Sequence, residues 1–220
     1  MKPHLHKVKR IFDYTDKSEY DFILNQSERS QPIPHSYYTK FLRSLKQEDF
    51  AYYPNTKNFK EKICEFYNVK TENLFLSDGS DVGIKSIFET FTTCGNIVTS
   101  EPSFPMYGVY ASLYNCSYKG INYDVDTLEF SIDNMLSFVD DDTQLIILAN
   151  PNSPMGEYKS FDEIIPILEQ GVPVLIDEAY VQHSLREQGY EIQCDGLDTF
   201  PTNSRDLREI IYENSNTNNQ

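Results

Sequence analysis

The chain has 220 residues, with 39% hydrophobic and 14% aromatic content, enough for one large domain with a real core or two small ones. Its 34 acidic against 19 basic residues give a formal charge of −15, which repels phosphate backbones and argues against nucleic acid as a partner, though not against one phosphate held by backbone N–H groups. No run approaches the ~18 apolar residues of a membrane-spanning helix, and the four widely spaced cysteines (Cys64, Cys94, Cys116, Cys194) show no metal-ligand spacing, so the expectation is a cytoplasmic protein with reduced thiols and no membrane partner.

Residues 1–34 are polar and irregular, with prolines near the end, and read as an arm without the apolar stretch of a signal peptide. "SYYTKFLRSLKQEDF" (36–50) has helical periodicity through Tyr38, Phe41, Leu42 and Leu45. After a break at "YYPN", "TKNFKEKICEFYN" places Phe59, Ile63, Phe66 and Tyr67 on one helical stripe, with Thr56 as the expected cap. The pattern then alternates. Strands are expected at 73–77, 96–100, 117–123, 144–150 and 172–177, with helices at 82–91, 105–114, 131–139 and 160–170 between them. Apolar strands alternating with helices predict an α/β fold, a mostly parallel sheet covered on both faces. The register fails after about residue 184, where one short strand (190–194), one helix (204–212) and a polar, disordered end are expected.

Ligands of such sheets sit beyond the carboxyl ends of the strands, and the distinctive segments fall there. In "DGSD" (78–81), a strand, a tight Gly79 turn and a helix start make an anion site, to which Ser80 adds a hydroxyl. The alternative is an ordinary glycine turn with Asp81 as cap, and Asp78 is an awkward charge beside a phosphate. In "EPSFPMY" (101–107), prolines flank Phe104 and fix its ring, either to stack on an aromatic ligand or to pack in the core. "ANPNSPMG" (149–156) is a rigid loop rich in hydrogen-bonding groups, suited to a polar ligand edge or simply a turn. Asp177 ends the apolar run of "GVPVLIDEAY", and a carboxylate at a buried strand end needs a partner: an Arg or Lys elsewhere, or the protonated ring nitrogen of a cofactor. Tyr180 can present a phenol to the same ligand. Together the four strand ends suit a phosphorylated aromatic heterocycle with a basic nitrogen, a description that fits pyridoxal 5′-phosphate (PLP).

Through "YYPNTKNFKEKICEFYNV", "ENLFLSDGSD", "EPSFPMY", "LIILANPNSPMG" and "LIDEAY", residues 25–180 resemble the large domain of the class I/II PLP-dependent aminotransferases (fold type I), nearest the histidinol-phosphate aminotransferase branch. The resemblance implies an incomplete fold type I large domain over 35–184, between the arm (1–34) and a divergent, partly disordered tail (185–220), in a truncated chain. It implies that Gly79, Ser80 and Asp81 line the PLP phosphate and that Phe104 stacks on the ring. Asp177 would keep the pyridine nitrogen protonated, and Tyr180 would contact the ring hydroxyl. Tyr53 would reach the cofactor of a partner subunit, so a homodimer acting on an amino-acid-like small molecule is implied. Ser153 stands where the family places an asparagine, a shorter clamp for the ring hydroxyl.

The largest departure lies further on. The family carries a Schiff-base lysine after DEAY, in a segment like SKxxGLxGxRxG. The matching stretch here, "TFPTNSRDLREI" (199–210), has no lysine, and Lys159 is the last in the chain. Arg205 and Arg208 are too basic to replace it. The expectation is a transaminase by family whose present chain is inactive alone. The alternatives are a non-catalytic PLP- or phospho-ligand-binding pseudoenzyme or dimerisation fragment and, third, a relative of the phospho-amino-acid decarboxylases.

Overall fold

The computed structural model describes residues 3–8 and 32–181. Most of the expected arm, and the tail with its expected strand and helix, lie outside the described residues. Six helices and four strands follow one another as α1 (His35–Ser44), α2 (Lys57–Tyr67), α3 (Gly79–Phe91), β1 (Asn96–Glu101), α4 (Met106–Leu113), β2 (Ser117–Asn122), α5 (Ile132–Leu136), β3 (Thr143–Ala149), α6 (Phe161–Leu168) and β4 (Val174–Asp177) among the described residues.

All four strands pair in parallel, in the order β2-β1-β3-β4. Period-two alternation distributes their side chains. Ile97 of β1, Leu145, Ile147 and Ala149 of β3, and Leu175 of β4 pack with Ile84 and Phe88 of α3 and Met106, Tyr107, Tyr110 and Ala111 of α4. Val98, Ile146, Leu148, Val174 and Ile176 pack on the other face with Met135 of α5 and Ile164 and Ile167 of α6. Burial on both faces explains why the β3 run "TQLIILA" is apolar almost throughout. From β1 the chain crosses to β2 on one side, and from β3 to β4 on the other. The crevice between the carboxyl ends of β1 and β3 is therefore the topological switch point.

The expected strand at 73–77 does not form. Thr71–Asn73 is a 3-10 turn, the residues after it join no ladder, and Phe75 is 71% exposed. A strand needs a hydrogen-bonding neighbour, and no described strand runs beside it. The expected helix over 36–50 breaks after Ser44 and resumes only as a 3-10 turn, Gln47–Phe50. Thr56 occupies the cap position of α2 but makes no side-chain capping bond; Asn55 Oδ1 instead accepts from the Lys57 N–H at 3.0 Å. The helix expected over 131–139 shortens to α5, which Ser131 caps by accepting from the Asn134 N–H. At the start of the chain, Pro3–Lys7 forms a 3-10 turn, and His4 Nε2 lies 3.2 Å from the Leu113 carbonyl oxygen at the end of α4.

Candidate functional site

A small, partly open cavity of about 60 Å³ lies at the carboxyl edge, lined among others by Ser80, Phe104, Tyr107, Ser153, Asp177 and Tyr180. Ser80 comes from the start of α3, Phe104 and Tyr107 from the segment after β1, Ser153 from the loop after β3, and Asp177 and Tyr180 from the end of β4. In β4, Asp177 falls on the same face as Leu175, toward α3 and α4. Its register partner is Ala149, whose small side chain leaves the space above it open.

Asp177 is held by neutral donors. Tyr107 donates its hydroxyl to Oδ2 at 2.7 Å, and the Ala179 N–H donates to Oδ1 at 3.2 Å. The strand-end backbone is fixed as well, since the Asn150 N–H donates to the Asp177 carbonyl at 2.9 Å. Among the described residues, no lysine, arginine or histidine forms an ion pair with this carboxylate. Burial, then the Asp177 charge, pushes the Tyr107 phenol far above its ordinary range, so it remains a protonated donor. Burial and the same charge push the neighbouring Glu178 carboxyl up.

At the other end of the cavity, α3 begins at Gly79, whose φ of +82° is a left-handed conformation that glycine adopts without strain. A Cβ at Gly79 would meet no atom within 4 Å, so the approach to this helix start is open. Asp78, at the cap position, makes no capping bond. The next residue, Ser80, lines the cavity. Asp81 is not among the lining residues; its Oδ1 accepts from the Tyr110 hydroxyl at 2.8 Å.

Phe104 stands just before α4 and lies edge-on to Tyr107, with ring centroids 5.6 Å apart and planes at 81°. The loop after β3 contributes Pro151 and Ser153 to the cavity. Its two asparagines are spent inside the protein. Asn150 exchanges two bonds with the Lys159 backbone, at 2.7 and 2.8 Å, which closes the loop. Asn152 directs Nδ2 at the Pro102 carbonyl (3.0 Å), Ser100 Oγ (3.2 Å) and Tyr123 Oη (2.5 Å), which ties the loop to the end of β1.

The structure thus brings Ser80, Phe104, Ser153, Asp177 and Tyr180 together, with Gly79 beside them at the helix start. Tyr53 is fully exposed and lies outside the cavity. Sequence reasoning missed Tyr107. The signal was present in its spacing: it follows Phe104 by three residues and falls in the first turn of the helix that starts at the same sheet edge. Among the described residues, no lysine lines the cavity. Lys159, mostly buried, is engaged by Glu157 at 2.6 Å and Glu163 at 3.8 Å. Among the described residues, no group of three or more His, Cys, Asp or Glu could hold a metal ion, and no helix is long and apolar enough to cross a membrane.

A parallel α/β sheet with an uncompensated acid, a flat ring and an open helix start at its switch point defines a class of sites for small anionic ligands that also carry a positive charge. Residues 22–199 match the family model for aminotransferase class I and II, and the chain belongs to that family. It is 30% identical to histidinol-phosphate aminotransferase of Pyrococcus furiosus, over 76% of this chain and 49% of that relative. It is 31% identical to the enzyme of the same name from Brachyspira hyodysenteriae, over 84% of this chain and 53% of the relative. The chain therefore spans about half the length of the curated relatives it matches. The fold is similar to the crystal structure of histidinol-phosphate aminotransferase from Sinorhizobium meliloti in complex with pyridoxal 5′-phosphate, with a TM-score of 0.58 and 21% identity over 69% of this chain and 42% of that one. The fold type expected from the sequence is the one found.

Proposed function

We propose that this chain carries the PLP seat of a transaminase of the histidinol-phosphate type. One observation carries the reading: Asp177 is oriented by two neutral donors and has no cation among the described residues. A half-buried carboxylate in that state calls for a ligand that brings positive charge.

The donor set fits the cofactor. Asp177 would face the protonated ring nitrogen, and Ser80 with the first-turn N–H groups at Gly79 would take the phosphate. Phe104 would cover one face of the ring, and Ser153 and Tyr180 would stand at its hydroxyl. When bound, PLP supplies an electron sink for negative charge at the substrate's α-carbon. The chain's own residues bind and orient: Asp177 holds a proton at the ring nitrogen, Phe104 keeps water from the ring face, and the helix start holds the anion.

Among the described residues, no lining residue offers an amine to bond the cofactor or move a substrate proton. The chain by itself therefore binds PLP without a covalent bond and does not transaminate. Activity toward an amino-acid-like substrate such as histidinol phosphate requires a lysine from elsewhere in a longer or partner chain. A homodimer in the cytoplasm is part of the same proposal. It is supported by α1, which has no buried residue and leaves Tyr37, Tyr38 and Phe41 exposed.

The test is titration of PLP into the purified chain, read by quenching of its tyrosine fluorescence, with sedimentation velocity run in parallel. The expected result is saturable binding of one PLP per chain, fully released by dialysis after borohydride treatment, on a dimer. Absence of saturable binding overturns the seat. A stoichiometric label left on one lysine, or turnover of histidinol phosphate by the chain alone, overturns the claim that it is catalytically incomplete. A monomer at high concentration overturns the dimer.

A further inference from the structure

Resting on the PLP reading, we propose that Tyr107 is a positioning residue: its hydroxyl aims the Asp177 carboxylate at the ligand's cationic ring nitrogen, while its ring sets the tilt of Phe104. Tyr107 lies in the first turn of α4 and is 0% exposed, so its only exit toward the cavity is the hydroxyl that meets Asp177 Oδ2 at 2.7 Å. With Ala179 N–H on Oδ1, each carboxylate oxygen has one donor and keeps a further lone pair. The carboxylate plane is thereby set before a ligand arrives, and a ring N–H can be accepted without turning the side chain. The phenol stays protonated at any working pH, so the direction of the bond never reverses. The same ring abuts Phe104 edge-on at 5.6 Å. One buried tyrosine thus connects the residue that would meet the ring nitrogen with the residue that would cover the ring face.

A role in packing alone would make a different prediction. Loss of packing would weaken every ligand of the cavity alike, whereas loss of aim would weaken only ligands with a basic ring nitrogen. The experiment compares wild type with Tyr107→Phe, which keeps the ring and removes the hydroxyl. Each is titrated with PLP and with its deaza analogue, in which carbon replaces the ring nitrogen. The expected result is PLP affinity reduced by about tenfold, the size of one hydrogen bond to a charged group, with deaza-PLP affinity unchanged.

Equal PLP affinity in the two proteins overturns the proposal, and so does equal weakening of both ligands. If Tyr107→Phe does not fold, a cycle of Tyr107→Leu and Asp177→Asn replaces it. The two changes are non-additive toward PLP if the hydroxyl acts through Asp177, and additivity overturns the proposal. Wild type that fails to bind PLP overturns the cofactor reading itself, and this proposal with it. Wild type that binds while Tyr107→Phe binds equally well overturns the role of Tyr107 alone.

Discussion

Asn152→Ala tests whether the polar loop after β3 is held from inside the protein. Asn152 is buried, and its Nδ2 faces the Pro102 carbonyl, Ser100 Oγ and Tyr123 Oη at 3.0, 3.2 and 2.5 Å. An amide nitrogen has only two hydrogens. The Pro102 carbonyl can only accept and takes one; the second serves Ser100 and Tyr123, whose own hydroxyls complete the cluster. Burial pushes the Tyr123 phenol up to about 12, so it too remains a neutral partner. Alanine removes both hydrogens and strands the carbonyl and one hydroxyl. Each buried orphan costs about 1–3 kcal/mol. Asn152 Oδ1 is already without a partner, so its loss offsets part of this. The net is about 3 kcal/mol, and for a chain of this size a midpoint lower by roughly 6–12 °C follows. Pro151 and Ser153, on either side, line the cavity, so PLP affinity falls with stability. The assay is thermal unfolding by circular dichroism without ligand, followed by PLP titration below the transition. A midpoint within about 2 °C of wild type refutes the reasoning, because the loop would then be held by something other than Asn152.

Two further substitutions test backbone and charge. Gly79 has a left-handed φ of +82° and open space around a hypothetical Cβ, so Gly79→Val pays only for conformation, about 1–2 kcal/mol. Calorimetry should show a lower midpoint for valine and a smaller loss for Gly79→Asn, and equal stability of all three proteins contradicts this. Asp140 accepts from Lys119 at 2.6 Å, from Asn96 at 3.0 Å and from Thr143 at 2.9 Å, and these bonds, Lys119 foremost, hold its carboxyl well below the usual range. A depressed carboxyl contributes stability that is present above its ordinary value of about 3.9 and lost as pH falls through the folded value. Asp140→Asn should therefore lower the melting midpoint at pH 6 by more than it does below about pH 3; a difference that does not change with pH counts against the linkage.

Much of the sheet was legible because β1 and β3 are buried along most of their length, and in β3 that burial writes itself as a nearly unbroken apolar run. Phe104, Ser153 and Asp177 were legible because each stands where a strand stops at a turn. The segment 73–77 misled because alternation reports a pleated surface but not a partner, and a strand exists only where a neighbouring edge is available. The asparagines of "ANPNSPMG" misled for a related reason. Composition shows how many hydrogen-bonding groups a loop holds, while only the fold decides whether they face a ligand or the loop's own backbone. Asn150 and Asn152 face inward, which leaves Ser153 as the loop's polar side chain at the cavity. Tyr107 escaped notice because a tyrosine on an apolar helix face counts as core until the atom opposite its hydroxyl is known.

On the proposed reading, that helix face explains how so acidic a chain could offer a seat for a phosphate. Tyr107 and Tyr110 are three residues apart and so share one side of α4. Tyr107 reaches Asp177 at the end of β4, and Tyr110 reaches Asp81 in the first turn of α3. The consequences differ at the two ends. Asp177 lines the cavity and keeps lone pairs turned into it, so negative charge is displayed where a cationic nitrogen would sit. Asp81 is engaged by Tyr110 outside the lining, and the residue that does face the cavity there is Ser80, a hydroxyl on a helix start. The Asp81 carboxylate is bonded outside the cavity lining, and the dipole of α3 adds positive potential at the same place. Two hydroxyls a turn apart thus sort two acids by role, displaying one and bonding the other aside, and the polarity this leaves across the cavity is the one a phosphorylated pyridinium requires.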